Sequence, residues 1–184
     1  LFMGLQSALA YCVFGWLAPI LRERGFEAAT AGGIVSLSVM AQVAACLLVP
    51  SFAVRCKDQR VVNVALVAIA TVALLGLMFA PTWTVLFWAV LQGIGQGGLI
   101  AVAMIVIVLR SPDPRVAAHL SGMSQGVGYV LAAVGPLLVG FIRGWTGSFD
   151  AAAILLVALG IGAAWMGNGA GRALHVGART VPSR

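Results

Sequence analysis

The sequence contains little charge. Only 9% of its 184 residues are Asp, Glu, Lys or Arg, and 61% are hydrophobic, whereas soluble domains carry about 25% charged residues. A soluble fold of this size needs more polar surface, so the composition excludes an ordinary soluble enzyme and a disordered tail. It predicts an all-α integral membrane protein. A spanning helix needs about 20 apolar residues, which leaves room for about six of them.

Residue types that the apolar runs do not contain limit the classes of function that are possible. None of the long apolar runs holds Asp, Glu, Lys, Arg or His near its centre. We therefore expect no enzyme, no metal and no cofactor, because no catalytic or ligating set could meet at one depth. The three cysteines have no paired spacing. The net charge of +6 comes from short scattered clusters, which excludes a nucleic-acid partner, since such proteins gather their basic residues on one face.

Six apolar segments predict six transmembrane helices, because lipid accepts only helices or closed barrels and the runs are too continuously apolar for barrel strands. We expect one bundle over residues 1–167 and a cytoplasmic tail over 168–184. The chain starts at Leu1 inside an apolar run, and we expect it to be a piece of a longer protein. The predicted helices cover about 1–21, 28–50, 61–80, 83–109, 116–142 and 149–167.

The basic residues predict the orientation. Eight Lys and Arg residues fall on the side that holds the loops after the second and fourth helices and the tail, and three fall on the other side. Basic loops stay in the cytoplasm. Both termini are therefore expected to be cytoplasmic, in a plasma membrane of the bacterial inner-membrane type.

Polar side chains repeat along the chain. The first and second helices carry several polar side chains, for example Gln6 and Ser38, while the third carries few. The fourth and fifth again carry several, for example Gln92 and Gln125, while the sixth carries few. Polar groups in a membrane face a bundle interior or a water-filled cavity. The pattern favours two three-helix units of opposite topology, the 3+3 inverted repeat of secondary transporters.

Three stretches resemble the C-terminal six-helix half of a major facilitator superfamily transporter, and within it the cyanate/nitroimidazole permease family. They are the opening helix Phe2–Leu21 with Gly4-Leu5-Gln6-Ser7, the basic loop ending in Asp58-Gln59-Arg60, and the run from Leu91–Gly98 through Ser111-Pro112-Asp113-Pro114 to Leu120–Tyr129. The resemblance implies a 12-helix transporter working by alternating access. Its partners would be the missing N-terminal six-helix half, the lipid bilayer and a small-molecule solute. The first and fourth helices would line the cavity, the second and fifth would flank the other half, and the third and sixth would face lipid.

The neutral polar residues of the first, fourth and fifth helices are the candidate solute-binding residues. Gln92 and Gln96 share a helix face because they are four residues apart. Buried amides in hydrocarbon need partners, so the alternative for this pair is hydrogen bonding between helices. Trp16 lies nearer a helix end, and the alternative for it is an interfacial anchor. The predicted cavity-lining set is Gln6, Tyr11, Trp16, Gln92, Gln96, Ser121, Gln125 and Tyr129.

The predicted function is transport of a small polar solute, cyanate- or nitroimidazole-like, as half of a secondary transporter. Two alternatives stay open: a membrane packing or assembly subunit without a substrate, and half of a drug-efflux transporter of the same superfamily. Solute, direction and coupling ion do not follow from the sequence.

Overall fold

The computed structural model of the chain describes residues 1–53, 55, 59–109 and 111–171. Its regular structure consists of six long α-helices and one short 3-10 turn, Thr82–Thr84. All six helices are long and apolar enough to cross a membrane. In chain order they are α1 Phe2–Glu23, α2 Ala28–Ala53, α3 Arg60–Phe79, α4 Val85–Leu109, α5 Pro114–Thr146 and α6 Asp150–Ala170.

The helix ends follow local chemistry. The carboxylate of Asp113 accepts a hydrogen bond from Val116 N (2.9 Å) and so caps α5, with Pro114 in the first turn, where its missing N–H costs nothing. The helix ends at Gly147, whose φ of 77° is left-handed and suits glycine. At the end of α3, Ala80 is extended, as residues before a proline tend to be.

Three predicted helix ends differ from the observed ones by three or four residues. α2 continues past Pro50 to Ala53. α5 runs to Thr146 rather than 142, because Arg143 lies at the end of the span, where charge is tolerated, and the chain meets its stop signal only at Gly147. α6 continues to Ala170, so the first residues of the predicted tail are helical. Residues 172–184 of that tail lie outside the described residues.

The packing interlocks two three-helix units. α1 of the first unit packs chiefly on α5 of the second, and α4 of the second packs chiefly on α2 of the first. α3 and α6 pack on each other, α3 also on α4, and α6 also on α1. This exchange of first and second helices is what an inverted 3+3 repeat predicts.

Burial differs sharply between the helices. Within an apolar 18-residue stretch of each span, 61% of the residues of α1 and 67% of those of α4 are buried, against only 17% for α2 and 22% for α5. α1 and α4 therefore form the centre of the bundle. α2 and α5 present large apolar side chains outward, such as Met40, Leu47, Val130 and Leu137.

Glycines set the closest helix contacts. A Cβ on Gly97 would lie 2.1 Å from the backbone oxygen of Gln42, and a Cβ on Gly93 would lie 2.2 Å from that of Ser38. The small-xxx-small spacing of this pair therefore seats α4 directly against the α2 backbone. Gly122 and Gly126 have the same spacing, but among the described residues nothing apart from their own helix backbone and chain neighbours lies within 4 Å of their Cβ positions. The spacing alone did not distinguish the two pairs.

We predict that Gly97→Ala destabilises the chain by about 1–3 kcal/mol, since the added methyl must push two backbones apart. The matched control is Gly126→Ala, which meets open space and gains helix propensity, up to about 1 kcal/mol. Unfolding of the purified chain in mixed micelles, followed by circular dichroism, measures both. Equal unfolding midpoints for the two variants would contradict the α2–α4 contact.

Candidate functional site

A narrow aromatic stripe with one polar group, the Tyr11 hydroxyl, lies open on α1. Most of this helix is buried, but Tyr11, Phe14 and Gly15 are exposed near its middle. Successive residues of a helix turn by about 100°, so these three share one side. That side lies next to α5, the helix on which α1 chiefly packs.

Tyr11 meets Tyr129 of α5 across this boundary. The ring centroids are 6.2 Å apart and the ring planes are inclined by 40°. The two tyrosines keep 39% and 43% of their surface exposed, so neither ring is covered by the other. Together they form an open, wedge-shaped pair at mid-height in the bundle.

Polar groups continue along α5 from this pair. The hydroxyl of Tyr129 donates to Gln125 Oε1 (3.4 Å), and Gln125 Nε2 donates to Ser121 Oγ (2.7 Å). The three residues are spaced four apart and form a ladder on one side of the helix. Of the eight predicted site residues, Tyr11 and Tyr129 therefore meet at the α1–α5 boundary, and Gln125 and Ser121 continue from Tyr129 along α5.

The other glutamines are buried between α1 and α4. Gln6, Gln92 and Gln96 expose 0%, 1% and 2% of their surface. Gln96 Nε2 donates to the backbone oxygen of Gln6 (3.2 Å) and to its Oε1 (3.4 Å), and Gln6 Nε2 donates to Ser7 Oγ (2.9 Å). This is the interhelical bonding that the sequence left open as an alternative. Within the described part of the chain, the side-chain oxygens of Gln92 and Gln96 have no hydrogen-bond partner.

The spacing of Gln92 and Gln96 showed that they share a face, and the structure shows which face. Ile94 is exposed and lies about 200° around the helix from Gln92. The amides thus point into this six-helix unit, toward α1, and the exposed side of α4 is apolar. Their assignment to a cavity wall stays a prediction.

Trp16 connects α1 to α5. Its indole Nε1 donates to the backbone oxygen of Pro136 (3.0 Å), and its ring lies 5.6 Å from that of Phe149. The side chain is partly buried. In this structure Trp16 therefore makes a contact between helices, beside the two roles considered for it from sequence.

A charged cluster joins the far ends of the same helices. Glu23 at the end of α1 pairs with Arg143 of α5 (3.0 Å) and accepts a hydrogen bond from Phe149 N (3.4 Å). The Arg143 guanidinium also lies over the Phe149 ring, 5.1 Å from its centroid. Sequence reasoning missed this cluster. The signal in the sequence that could have predicted it was an acidic residue, Glu23, and a basic residue, Arg143, each near the C-terminal end of its helix.

Arg24 fastens the same end of α1 to α3. Its guanidinium donates to the backbone oxygens of Leu77 and Ala80, the carbonyls that the end of a helix leaves without intrahelical partners. Partial burial lowers the pKa of Arg24, but a guanidinium stays charged at neutral pH. The Arg24 side chain therefore caps the C-terminal end of α3.

An apolar cavity of about 560 Å³ lies at the end of the bundle where α1 begins and α4 and α6 end. Its wall includes Phe2, Val106, Leu120, Ser124 and Trp165. It does not reach Tyr11, Gln125 or Tyr129. The polar ladder and this cavity are therefore separate features.

Metal-binding geometry is missing from the described part of the chain, which has no group of three or more His, Cys, Asp and Glu side chains that could hold an ion. The candidate site is built from neutral groups: two phenols, an amide and a hydroxyl. Such groups can bind a solute by hydrogen bonds and ring contacts. They offer no nucleophile with an adjacent base.

Six membrane-spanning helices in two interlocked three-helix units define one half of a secondary-transporter bundle. The chain belongs to the Major Facilitator Superfamily, whose sequence profile matches residues 1–178. This agrees with the family resemblance seen in the sequence, and it identifies the chain as part of a transporter and not an enzyme.

Three curated relatives are transporters. The chain is 43% identical over 177 residues to the uncharacterized transporter YycB of Bacillus subtilis (96% of this chain, 44% of the relative). It is 38% identical over 176 residues to the 2-nitroimidazole transporter of Escherichia coli (94% and 44%). It is 26% identical over 148 residues to the cyanate transport protein CynX of the same organism (80% and 38%). The chain thus spans less than half the length of these relatives.

We predict that the Gln6–Gln96 contact is measurable as a coupling. In a double-mutant cycle with Gln6→Leu and Gln96→Leu, the coupling free energy should be about 0.6 kcal/mol and at most about 1.7 kcal/mol, the range found for hydrogen bonds between membrane helices. Unfolding in mixed micelles provides the four stabilities. The control cycle pairs Gln6→Leu with Gln125→Leu, and it should show no coupling. A Gln6–Gln96 coupling no larger than the control would refute the contact.

Proposed function

We propose that the chain is one half of a transporter that moves a small polar solute across the membrane by alternating access. The observation that carries this is the exposed α1 stripe beside the α5 ladder. Phenol and amide groups at mid-membrane are costly against lipid, so such a face belongs against water or another part of the protein. A second six-helix half across this face would enclose a polar space.

The proposed second half has support from length and burial. The relatives are more than twice as long as the segment they share with this chain. α2 and α5 are the least buried helices, which is consistent with their flanking an opposite half. The alternative of a packing subunit accounts for the buried Gln6 and Gln96, but it gives no reason for an open polar face on α1 and α5.

The predicted site residues divide into two groups. In our proposal Tyr11, Ser121, Gln125 and Tyr129 face the solute directly. Gln6, Trp16, Gln92 and Gln96 hold α1 in position behind them, and reach a solute only if the helices rearrange during the transport cycle. The names of the relatives favour a solute resembling 2-nitroimidazole or cyanate.

The transport proposal is tested by uptake into proteoliposomes. The chain alone should show no saturable uptake of 2-nitroimidazole or cyanate, because half of the cavity wall is absent. The transporter that contains the chain should show saturable uptake of at least one. Saturable uptake by the 184-residue chain as a monomer would contradict the half-transporter proposal.

In that transporter, Gln125→Ala should lower uptake per folded molecule about tenfold, because the amide would contact the solute. The matched control is Asn63→Ala. Asn63 is fully buried, and its Nδ2 donates to the backbone oxygen of Gly167 (2.9 Å). The control should reduce the amount of folded protein and leave uptake per folded molecule unchanged. If Gln125→Ala instead reduced the amount of folded protein without changing uptake per folded molecule, and Asn63→Ala lowered uptake per folded molecule, the packing alternative would be favoured.

We further propose that both termini are cytoplasmic, in a bacterial-type inner membrane, on the basis of the eight-to-three distribution of basic residues. Cys56 lies in the basic loop, outside the described residues. In a variant that keeps Cys56 as its sole cysteine, an impermeant maleimide should label inverted membrane vesicles and leave intact cells unlabelled. Labelling of intact cells would reverse the proposed orientation.

A further inference from the structure

The separation of Tyr11 and Tyr129 is set by contacts on both sides of the pair. Toward the start of α1, a Cβ on Gly4 would lie 3.1 Å from the backbone of Gly128. Toward its end, a Cβ on Gly135 would lie 3.1 Å from Cys12 Sγ. Glycines on both sides thus hold α1 and α5 at close approach. The two rings project from a pair of helices whose spacing is already fixed.

The far end of the same helix pair is fastened as well. Trp16 donates to the backbone oxygen of Pro136, and Glu23 pairs with Arg143. The tyrosine side chains can turn on their own rotamers, while the backbones that carry them are held above and below. Such a pair is preorganised, so binding would not require the helices to be ordered first.

The shape of the wedge selects a flat occupant. A ring stacked between two others needs about 3.5 Å of contact on each side, or about 7 Å between the outer rings. The Tyr11 and Tyr129 centroids are 6.2 Å apart and the ring planes are inclined by 40°, which is the range of a direct ring pair, so a rotation of one side chain is needed to admit a planar group. A flat conjugated ring then presents a π face to each tyrosine, whereas a puckered saturated ring has no π face and needs a wider opening.

The polar edge of the wedge is neutral. Tyr129 and Gln125 place a phenol and an amide beside the rings, and these can exchange hydrogen bonds with substituents on a ring edge. The middle of each spanning segment carries no Asp, Glu, Lys, Arg or His. At this wedge the chain therefore contributes stacking and neutral hydrogen bonds.

We propose that Tyr11 and Tyr129 form an aromatic jaw that takes a small, flat, π-conjugated solute between their rings, with Gln125 bonding to its edge. This inference rests on the proposed transport function and names the chemical class of its solute. It makes the two tyrosines specificity-determining residues. They would distinguish planar solutes from saturated ones of the same size and polarity.

The test is binding to the purified transporter that contains this chain, measured by isothermal titration calorimetry. Benzamide and cyclohexanecarboxamide form a matched pair, both neutral and with the same amide, one ring flat and the other puckered. 2-Nitroimidazole is a second flat probe. The wild type should bind both flat compounds more tightly than the puckered one.

The variants are Tyr11→Leu, Tyr129→Leu and the ring-retaining Tyr11→Phe. Each leucine variant should raise the dissociation constant of the flat compounds about tenfold. The lost aromatic contact contributes a binding free energy that corresponds to about this factor. It should leave the constant of the puckered compound unchanged. Tyr11→Phe should keep the preference for flat rings. The matched control is Phe141→Leu, an exposed aromatic on α5 that stacks on Trp145, and it should change neither constant.

Equal affinity of the wild type for flat and puckered rings would overturn the jaw, and so would leucine variants that bind flat rings normally. Either result, obtained together with normal saturable uptake of another solute, would leave the proposed transport function standing. Loss of all saturable uptake in the wild type would overturn both. Thermal unfolding of each variant checks that weakened binding does not reflect unfolded protein.

Discussion

The free-energy cost of an unpartnered polar group in hydrocarbon controls this structure. Each backbone amide must find its partner within its own segment, which leaves the α-helix as the spanning element. The same cost acts on the side chains that interrupt the apolar runs. Asn63 reaches the backbone of Gly167, Gln96 reaches Gln6, and Trp16 reaches Pro136. Each bond links two helices: α3 with α6, α4 with α1, and α1 with α5.

The same constraint explains how much could be predicted from sequence. The six spans followed from hydropathy, because transfer into lipid depends on composition over about 20 residues and little on tertiary context. The 3+3 arrangement followed from where polar residues recur. Helix ends were less accurate, as at Thr146, because a helix can continue past the apolar run until a residue such as Gly147 stops it.

The candidate site was predicted less completely, for a physical reason. A spacing of four places Gln92 and Gln96 on one face but does not orient the helix within the bundle. That orientation is fixed by the glycines of α4, since Gly93 and Gly97 seat against α2, and Gly95 against Ala70 of α3. With those two sides occupied, the amides turn toward α1. Only the structure shows which glycines make such contacts, as the open positions of Gly122 and Gly126 demonstrate.

The division between buried and open polar groups also fits what a transporter has to do. A solute that must be released on the far side cannot be held by many strong bonds, and neutral groups bind more weakly than charged ones. Other contacts are useful for holding the binding groups at a fixed separation. Here the close approach of Gly4 to Gly128 and the bond from Trp16 to Pro136 hold α1 against α5, and the exposed ion pair of Glu23 and Arg143 adds a small contribution at the far end. The open face between these helices carries phenols and an amide. Rigidity and weak binding are thus supplied by different residues of the same helix pair, so the binding face can change without loosening the helices that carry it.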